Sequence, residues 1–253
     1  MAAIRPLFVV VGVGNAAGTG AAAARAFSKA GYSVALIARG QASLNALSEE
    51  IKSSGGEAAP FCIPSYAPGN FSSVFTSISS RFPTSQYSVR AALFNVGYAV
   101  WKPFLEVTPE EVQESLNTNV AAAFSFSRET IMKFKQNTID AKNPTRGTLI
   151  FTGATASTRG NSMTSAFSIG KFGARALSQS LAKEFGKDDI HVAHTIIDGH
   201  IMTGDALARG TTSGLNPESI AQEVLLQSYL YLVNQEKSAW TWELDLRPAH
   251  EKW

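Results

Sequence analysis

Apolar positions follow two alternating patterns along the chain. Short β-branched or apolar runs at 7–13, 33–38, 58–63, 91–95, 148–154, 191–197 and 239–246 predict strands. Between several of them, apolar residues recur every three or four positions, as in Leu44, Leu47 and Ile51, then in Phe71, Val74, Phe75, Ile78 and Phe82. That spacing gives a helix one apolar stripe with which to lie on a sheet. Thr108-Pro109-Glu110-Glu111 combines a capping hydroxyl, a proline at the first helical position and a carboxylate at the third. Asn216-Pro217-Glu218 repeats the device before a helix expected to run to about Val233. Strands alternating with helices from end to end predict βαβ units, and hence one α/β domain over 1–253 whose doubly wound parallel sheet carries helices on both faces. The last run, from Trp240 to Leu246, alternates apolar and polar residues and is expected at the sheet edge.

Composition narrows the function classes. The chain has 253 residues, of which 17% are charged, and 22 Lys and Arg against 20 Asp and Glu leave a net charge of +2. So even a balance, with no basic cluster, excludes an electrostatic nucleic-acid binder. The run at 7–13 is far shorter than the ~20 apolar residues of a membrane span, so a soluble, cytoplasmic protein with no membrane partner is expected. One cysteine, Cys62, forbids an intrachain disulfide or a multi-cysteine zinc site and is expected in the core. His191 and His194 lie three apart on a strand and so face opposite sides, and no metal site is expected.

The first strand runs into Gly14-Asn15-Ala16-Ala17-Gly18-Thr19-Gly20, followed by a helical segment from Ala21 to Ala30. Glycines placed between a strand and its helix let the backbone approach a pyrophosphate, whose charge the helix N-terminus stabilises. This spacing resembles the short-chain dehydrogenase/reductase family, and the likeness extends over nearly the whole chain. Asn95-Val96-Gly97 is similar to the family's Asn-Asn-Ala-Gly, with Phe94 in place of the first asparagine. Asn119 matches the asparagine inside the long helix that follows. Asp198-Gly199-His200-Ile201-Met202-Thr203 stands where the family carries its Pro-Gly-x-x-x-Thr beside the nicotinamide.

The resemblance implies a seven-stranded parallel Rossmann sheet assembled as a homodimer or homotetramer, and a nicotinamide cofactor acting on a small-molecule substrate. The cofactor-binding set it implies is Gly14, Asn15, Ala17, Gly18, Thr19, Gly20, Ile63 (or Pro64) at the adenine position, Asn95, Gly97, Lys171, Asp198, Ile201 and Thr203. At the end of the second strand, a carboxylate would bind the ribose hydroxyls of NAD and repel a 2′-phosphate. This chain has Ala38 and then Arg39 there, whose guanidinium suits a phosphate, so NADP(H) is expected.

The family's catalytic group is Tyr-x-x-x-Lys with a serine thirteen residues before the tyrosine. Here Lys171 is present, Phe167 holds the tyrosine position and Ala154 the serine position, and no tyrosine occurs between Tyr98 and Tyr229. Three readings follow. A reductase could take its proton from another group, with His200 first and Tyr98, Thr155 and Asp198 after it, or could act on an iminium that needs none. Bound nucleotide could instead support a cyclisation, isomerisation or dehydration in a pocket shaped by Phe167, Phe94 and Trp101. The third reading is a non-catalytic nucleotide-binding protein. Aromatics at Phe94, Tyr98, Trp101 and Phe104 point to a medium-sized, largely apolar substrate, and 203–216 corresponds to the family's substrate lid.

Overall fold

The apolar runs form one sheet of seven parallel strands. The structure, a computed structural model, describes residues 4–16, 18–141, 144–198 and 228–247. In chain order the elements are β1 (Arg5–Val11), α1 (Thr19–Lys29), β2 (Ser33–Ala38), α2 (Gln41–Ser53), β3 (Ala58–Cys62), α3 (Pro68–Arg81) and β4 (Tyr87–Phe94). There follow α4 (Pro109–Leu116), α5 (Ala122–Lys135), β5 (Gly147–Gly153), α6 (Ser165–Phe185), β6 (Ile190–Ile197), α7 (Leu230–Asn234) and β7 (Glu243–Leu246). The strand order is β3-β2-β1-β4-β5-β6-β7, with every neighbour parallel. The order reverses between β1 and β4, and in open α/β sheets ligands bind at the carboxyl ends of the strands beside such a reversal.

Alternation along β1 shows why both sheet faces are covered. Leu7, Val9 and Val11 pack with Phe71, Val74, Phe75 and Ile78 of α3 and with Phe126, Ile131 and Phe134 of α5. Phe8 and Val10 point the other way, toward the alanines and Phe27 of α1 and toward Leu44, Leu47 and Ile51 of α2. The Phe8 and Phe27 rings stack with centroids 3.8 Å apart. On the first face Phe126 meets Phe71, Phe75 and Phe94 at 5.7–6.0 Å.

The cap at Thr108 forms as its sequence dictates, Glu111 N donating to Thr108 Oγ1 at 3.3 Å and Thr108 N to Glu111 Oε2 at 3.0 Å. Three expectations shift. β4 begins at Tyr87, ahead of the apolar run, because its polar Ser88 and Arg90 are satisfied at the strand's start, Arg90 donating to Ser88 Oγ, Thr145 O and Thr138 O. The last strand is shorter than its alternation predicts. Thr241 O pairs with His191 Nε2, Thr241 N donates to Gln235 Oε1, and Trp240 stacks on His191, so main-chain pairing with β6 starts only where Trp242 O accepts from His194 N at 2.7 Å. Cys62 is exposed, its thiol donating to Arg39 O, because it is the last residue of β3, the edge strand, whose burial falls off along its length. Of the helix expected after Asn216 only the final part is described, as α7.

Phe126→Ala removes the ring on which three other aromatics converge, and is expected to cost about 3–5 kcal/mol of stability. Urea unfolding of the two proteins measures it, and a loss below 1 kcal/mol would refute the convergence.

Candidate active site

Gly12, at φ +99, turns the chain out of β1. A Cβ on Gly20 would lie 2.5 Å from Gly12 O and 3.0 Å from Asn95 Nδ2, so only glycine lets α1 begin this close to the sheet. Asn95 Nδ2 donates to Gly12 O at 3.1 Å and ties the end of β4 to the same turn. Gly18 N donates to Asn15 O at 3.0 Å, closing the loop, while the space around a Cβ on Gly14 is open. Thr19 is buried and its Oγ1 has no hydrogen-bond partner. An anion fits this turn on three counts: the free amides of an eleven-residue helix, a glycine facing open space, and a buried hydroxyl left unpaired.

At the end of β2, the Arg39 guanidinium carbon stands 4.9 Å from the centroid of the Tyr66 ring. Burial raises the Tyr66 phenol above its ordinary range, against the opposing pull of Arg39. Sequence reasoning missed Tyr66, which lies beyond β3 and carries no motif. Ile63, expected against adenine, buries its side chain in the core and offers this edge only its main chain.

The second cluster is built on a helix irregularity. Between α4 and α5 the chain makes a π turn, Asn117–Ala121, that directs Asn119 inward. Asn119 Oδ1 accepts from Tyr98 N at 3.2 Å, and its Nδ2 donates to Tyr98 O at 2.9 Å and Ser115 Oγ at 3.1 Å, holding the loop after β4 in both directions. α6 comes close because Gly170 has no side chain; a Cβ there would fall 2.6 Å from both Asn119 Nδ2 and Ser115 Oγ. Ser115 Oγ in turn donates to Ala166 O at 2.6 Å. A glycine inside a helical run was the one sequence signal for this approach.

Lys171 follows directly. It is 7% exposed, and its Nζ donates to Thr152 O at 3.1 Å. A Cβ on Gly97 would meet Lys171 Nζ at 3.5 Å and Asn119 Oδ1 at 3.7 Å, so the three residues surround one point at the carboxyl ends of β4 and β5. Burial pushes the Lys171 ammonium down to about 8.

Phe167 lies one helical turn before Lys171, its ring centroid 6.0 Å from Nζ, and Trp101 meets it edge-on at 5.6 Å. Ala154 opens the short turn Thr155–Ser157. The hydroxyls beside it are already engaged: Ser157 Oγ accepts from Ala154 N at 3.1 Å and Thr155 Oγ1 donates to Asp198. Asp198 also accepts from Arg247, so Thr155 engages one of its oxygens and Arg247 the other. Phe94, expected to line a pocket, instead packs in the core against Phe126 and Phe151, because it is still part of β4 and faces α5. Ala17, His200, Ile201, Thr203 and the segment 203–216 lie outside the described residues.

His191 and His194 serve different partners, as strand alternation requires. His191 bonds with Leu232 O and Thr241 O, and His194 Nδ1 lies 3.1 Å from Glu243, which also takes a two-armed contact from Arg175. Burial pushes His194 down to about 4, so it is neutral near pH 7. Among the described residues no group of three or more His, Cys, Asp or Glu could hold a metal ion, and no helix is long and apolar enough to cross a membrane.

The depressed Lys171 value has a consequence for stability. The folded state binds this proton less tightly than the unfolded chain, so the ammonium opposes folding below about pH 8, and the penalty fades between there and 10.5. Lys171→Met is expected to be more stable than the parent at pH 7, by up to about 3 kcal/mol, with the gap closing toward pH 10.5. Urea unfolding at both pH values tests this, and a gap independent of pH would contradict it.

A profile of the short chain dehydrogenase family matches residues 8–205. The chain is 25% identical over 214 residues to a 3-oxoacyl-[acyl-carrier-protein] reductase of Bos taurus, covering 84% of this chain and 81% of that one. It is 30% identical over 110 residues to an L-2,3-butanediol dehydrogenase of Corynebacterium glutamicum, a match spanning 44% of this chain and only 40% of that enzyme's length. Among solved structures, a short-chain dehydrogenase from Rhodopseudomonas palustris superposes with a TM-score of 0.77 at 30% identity, covering 96% of this chain and 98% of that one. A metagenomic short-chain oxidoreductase in complex with NADP has the same fold, with a TM-score of 0.77 at 22% identity over 97% and 98% of the two chains. With the profile covering most of its length and a seven-stranded parallel sheet beneath it, this chain belongs to the short chain dehydrogenase family.

Proposed function

We propose that this chain is an NADP(H)-dependent oxidoreductase acting on a medium-sized, largely apolar carbonyl or imine acceptor. The observation that carries the reading is a convergence at the carboxyl ends of β1, β2, β4 and β5. There the glycine turn, the Arg39 guanidinium and the Lys171–Asn119–Gly97 cluster all face one edge of the sheet.

In this reading the amides at the start of α1 hold the pyrophosphate, with Thr19 Oγ1 as a spare hydrogen-bonding group. Arg39 binds the 2′-phosphate, and no carboxylate follows Ala38 to repel it. Tyr66 keeps the guanidinium in place beforehand, so less side-chain freedom is lost on binding. Lys171 and Asn119 hold the nicotinamide ribose and one face of the substrate pocket. A bound reduced nicotinamide would supply hydride. Phe167 and Ala154 take the positions of the family's tyrosine and serine, so the ordinary phenol donor is missing, and the acceptor is one that can take hydride without it.

Equilibrium titration tests the cofactor assignment. NADPH is expected to bind at least tenfold tighter than NADH, and Arg39→Ser to remove the preference. Tyr66→Leu is expected to weaken NADPH about fivefold, the worth of ~1 kcal/mol, while leaving NADH nearly unchanged. Equal affinities for the two cofactors in the unaltered protein would refute the assignment.

A further inference from the structure

We propose that the acceptor in this site is a planar, aryl-conjugated enal, enone or quinone that takes hydride at its β-carbon. The inference rests on the reductase reading above and adds the substrate class.

The first observation is the wall of the site. Trp101 is 58% exposed although its indole meets Phe167 at 5.6 Å with planes 63° apart. Met163, 50% exposed, is tied to the same loop by Lys102 N donating to Met163 O at 3.0 Å. A flat conjugated ring laid in this corner extends the edge-to-face arrangement that aromatic quadrupoles favour and covers apolar surface now facing water.

The second observation, made among the described residues, is the state of the hydroxyls at positions 154, 155, 157 and 167. Phe167 and Ala154 have none, Thr155 donates its own to Asp198, and Ser157 is fully buried with its oxygen accepting from Ala154 N. Hydride added to an isolated carbonyl carbon leaves a localised alkoxide, which calls for a proton donor held against the oxygen. Conjugate addition avoids that need. A new C–H bond forms at the β-carbon, the C=C pair moves into the bond between the α-carbon and the carbonyl, and the C=O pair moves onto oxygen as a delocalised enolate. Solvent then adds a proton at the α-carbon. The acceptor gains two electrons, and the reduced nicotinamide that supplies the hydride loses two.

Charge separates this class from an iminium. Lys171 is a buried cation 6.0 Å from the Phe167 ring centroid, with a carbonyl, Thr152 O, as its acceptor. Its field favours an acceptor that enters neutral and becomes an anion, and it opposes one that enters positive and becomes neutral.

The test uses trans-cinnamaldehyde, which can be reduced at either carbon, with NADPH dideuterated at nicotinamide C4. The expected product is 3-phenylpropanal carrying deuterium at the β-carbon, read by NMR. Cinnamyl alcohol with deuterium at the carbinol carbon would overturn the proposal, and so would absence of product from a protein that binds NADPH. Absence of NADPH binding would instead overturn the reductase reading. Phe167→Tyr combined with Ala154→Ser is expected to shift product at least tenfold toward cinnamyl alcohol, and an unchanged ratio counts against the proposal. Without cofactor, cinnamaldehyde binding followed by ligand-detected NMR is expected to weaken about tenfold in Trp101→Leu. Unchanged binding would remove the aromatic wall from the argument.

Discussion

Gly170 and Gly173 let α6 lie against the π turn between α4 and α5, where a Cβ at the two positions would come within 2.6 Å of Asn119 Nδ2 and 2.7 Å of Val120 Cγ2. Each glycine costs a helix interior about 1 kcal/mol relative to alanine. The cost is offset by what the approach permits: Ser115 reaches Ala166 O, Asn119 clamps the loop after β4, and Lys171 enters a buried position beside Gly97. Were the helices one side chain farther apart, the lysine, the asparagine and the loop would no longer share a point. The chemistry proposed for the site therefore depends on a packing distance set by residues that touch no substrate.

Behind that point the sheet is held by charge. Arg175 of α6 reaches Glu243 of β7 through two contacts of 2.5 and 2.8 Å, and neutral His194 of β6 closes the group. Asp198, just past β6, is held between Thr155 and Arg247. These contacts join the last two strands to the turn at Ala154 and to the helix carrying Lys171. Lys171 itself is buried with a carbonyl acceptor, and desolvation lowers its proton affinity as a result.

The sheet was readable in the sequence because burial on both faces makes its strands nearly continuous apolar runs. β2 matches its expected bounds, and the other strands differ chiefly at their ends. The ends are less legible because polar residues such as Arg90 can be satisfied by carbonyls of a segment far off in sequence, and an alternating run such as 239–242 can spend part of its polar groups on side chains. The glycine turn was readable for the same reason it exists, a steric demand that only glycine meets at Gly12 and Gly20. Tyr66, Glu243 and Arg247 were not, since each acts on a partner distant in sequence. Phe94 and Asp198 carried the right residue types, but one faces the core and the other is spent on Arg247.

The most direct measurement is a crystal structure of this chain with NADP+ bound. The expected result places the 2′-phosphate within hydrogen-bond reach of Arg39, the pyrophosphate at the amides opening α1, and the nicotinamide ribose against Lys171 and Asn119. The nicotinamide would then face Phe167 and Trp101. A cofactor seated away from the glycine turn, or a Lys171 ammonium turned from the ribose, would contradict it.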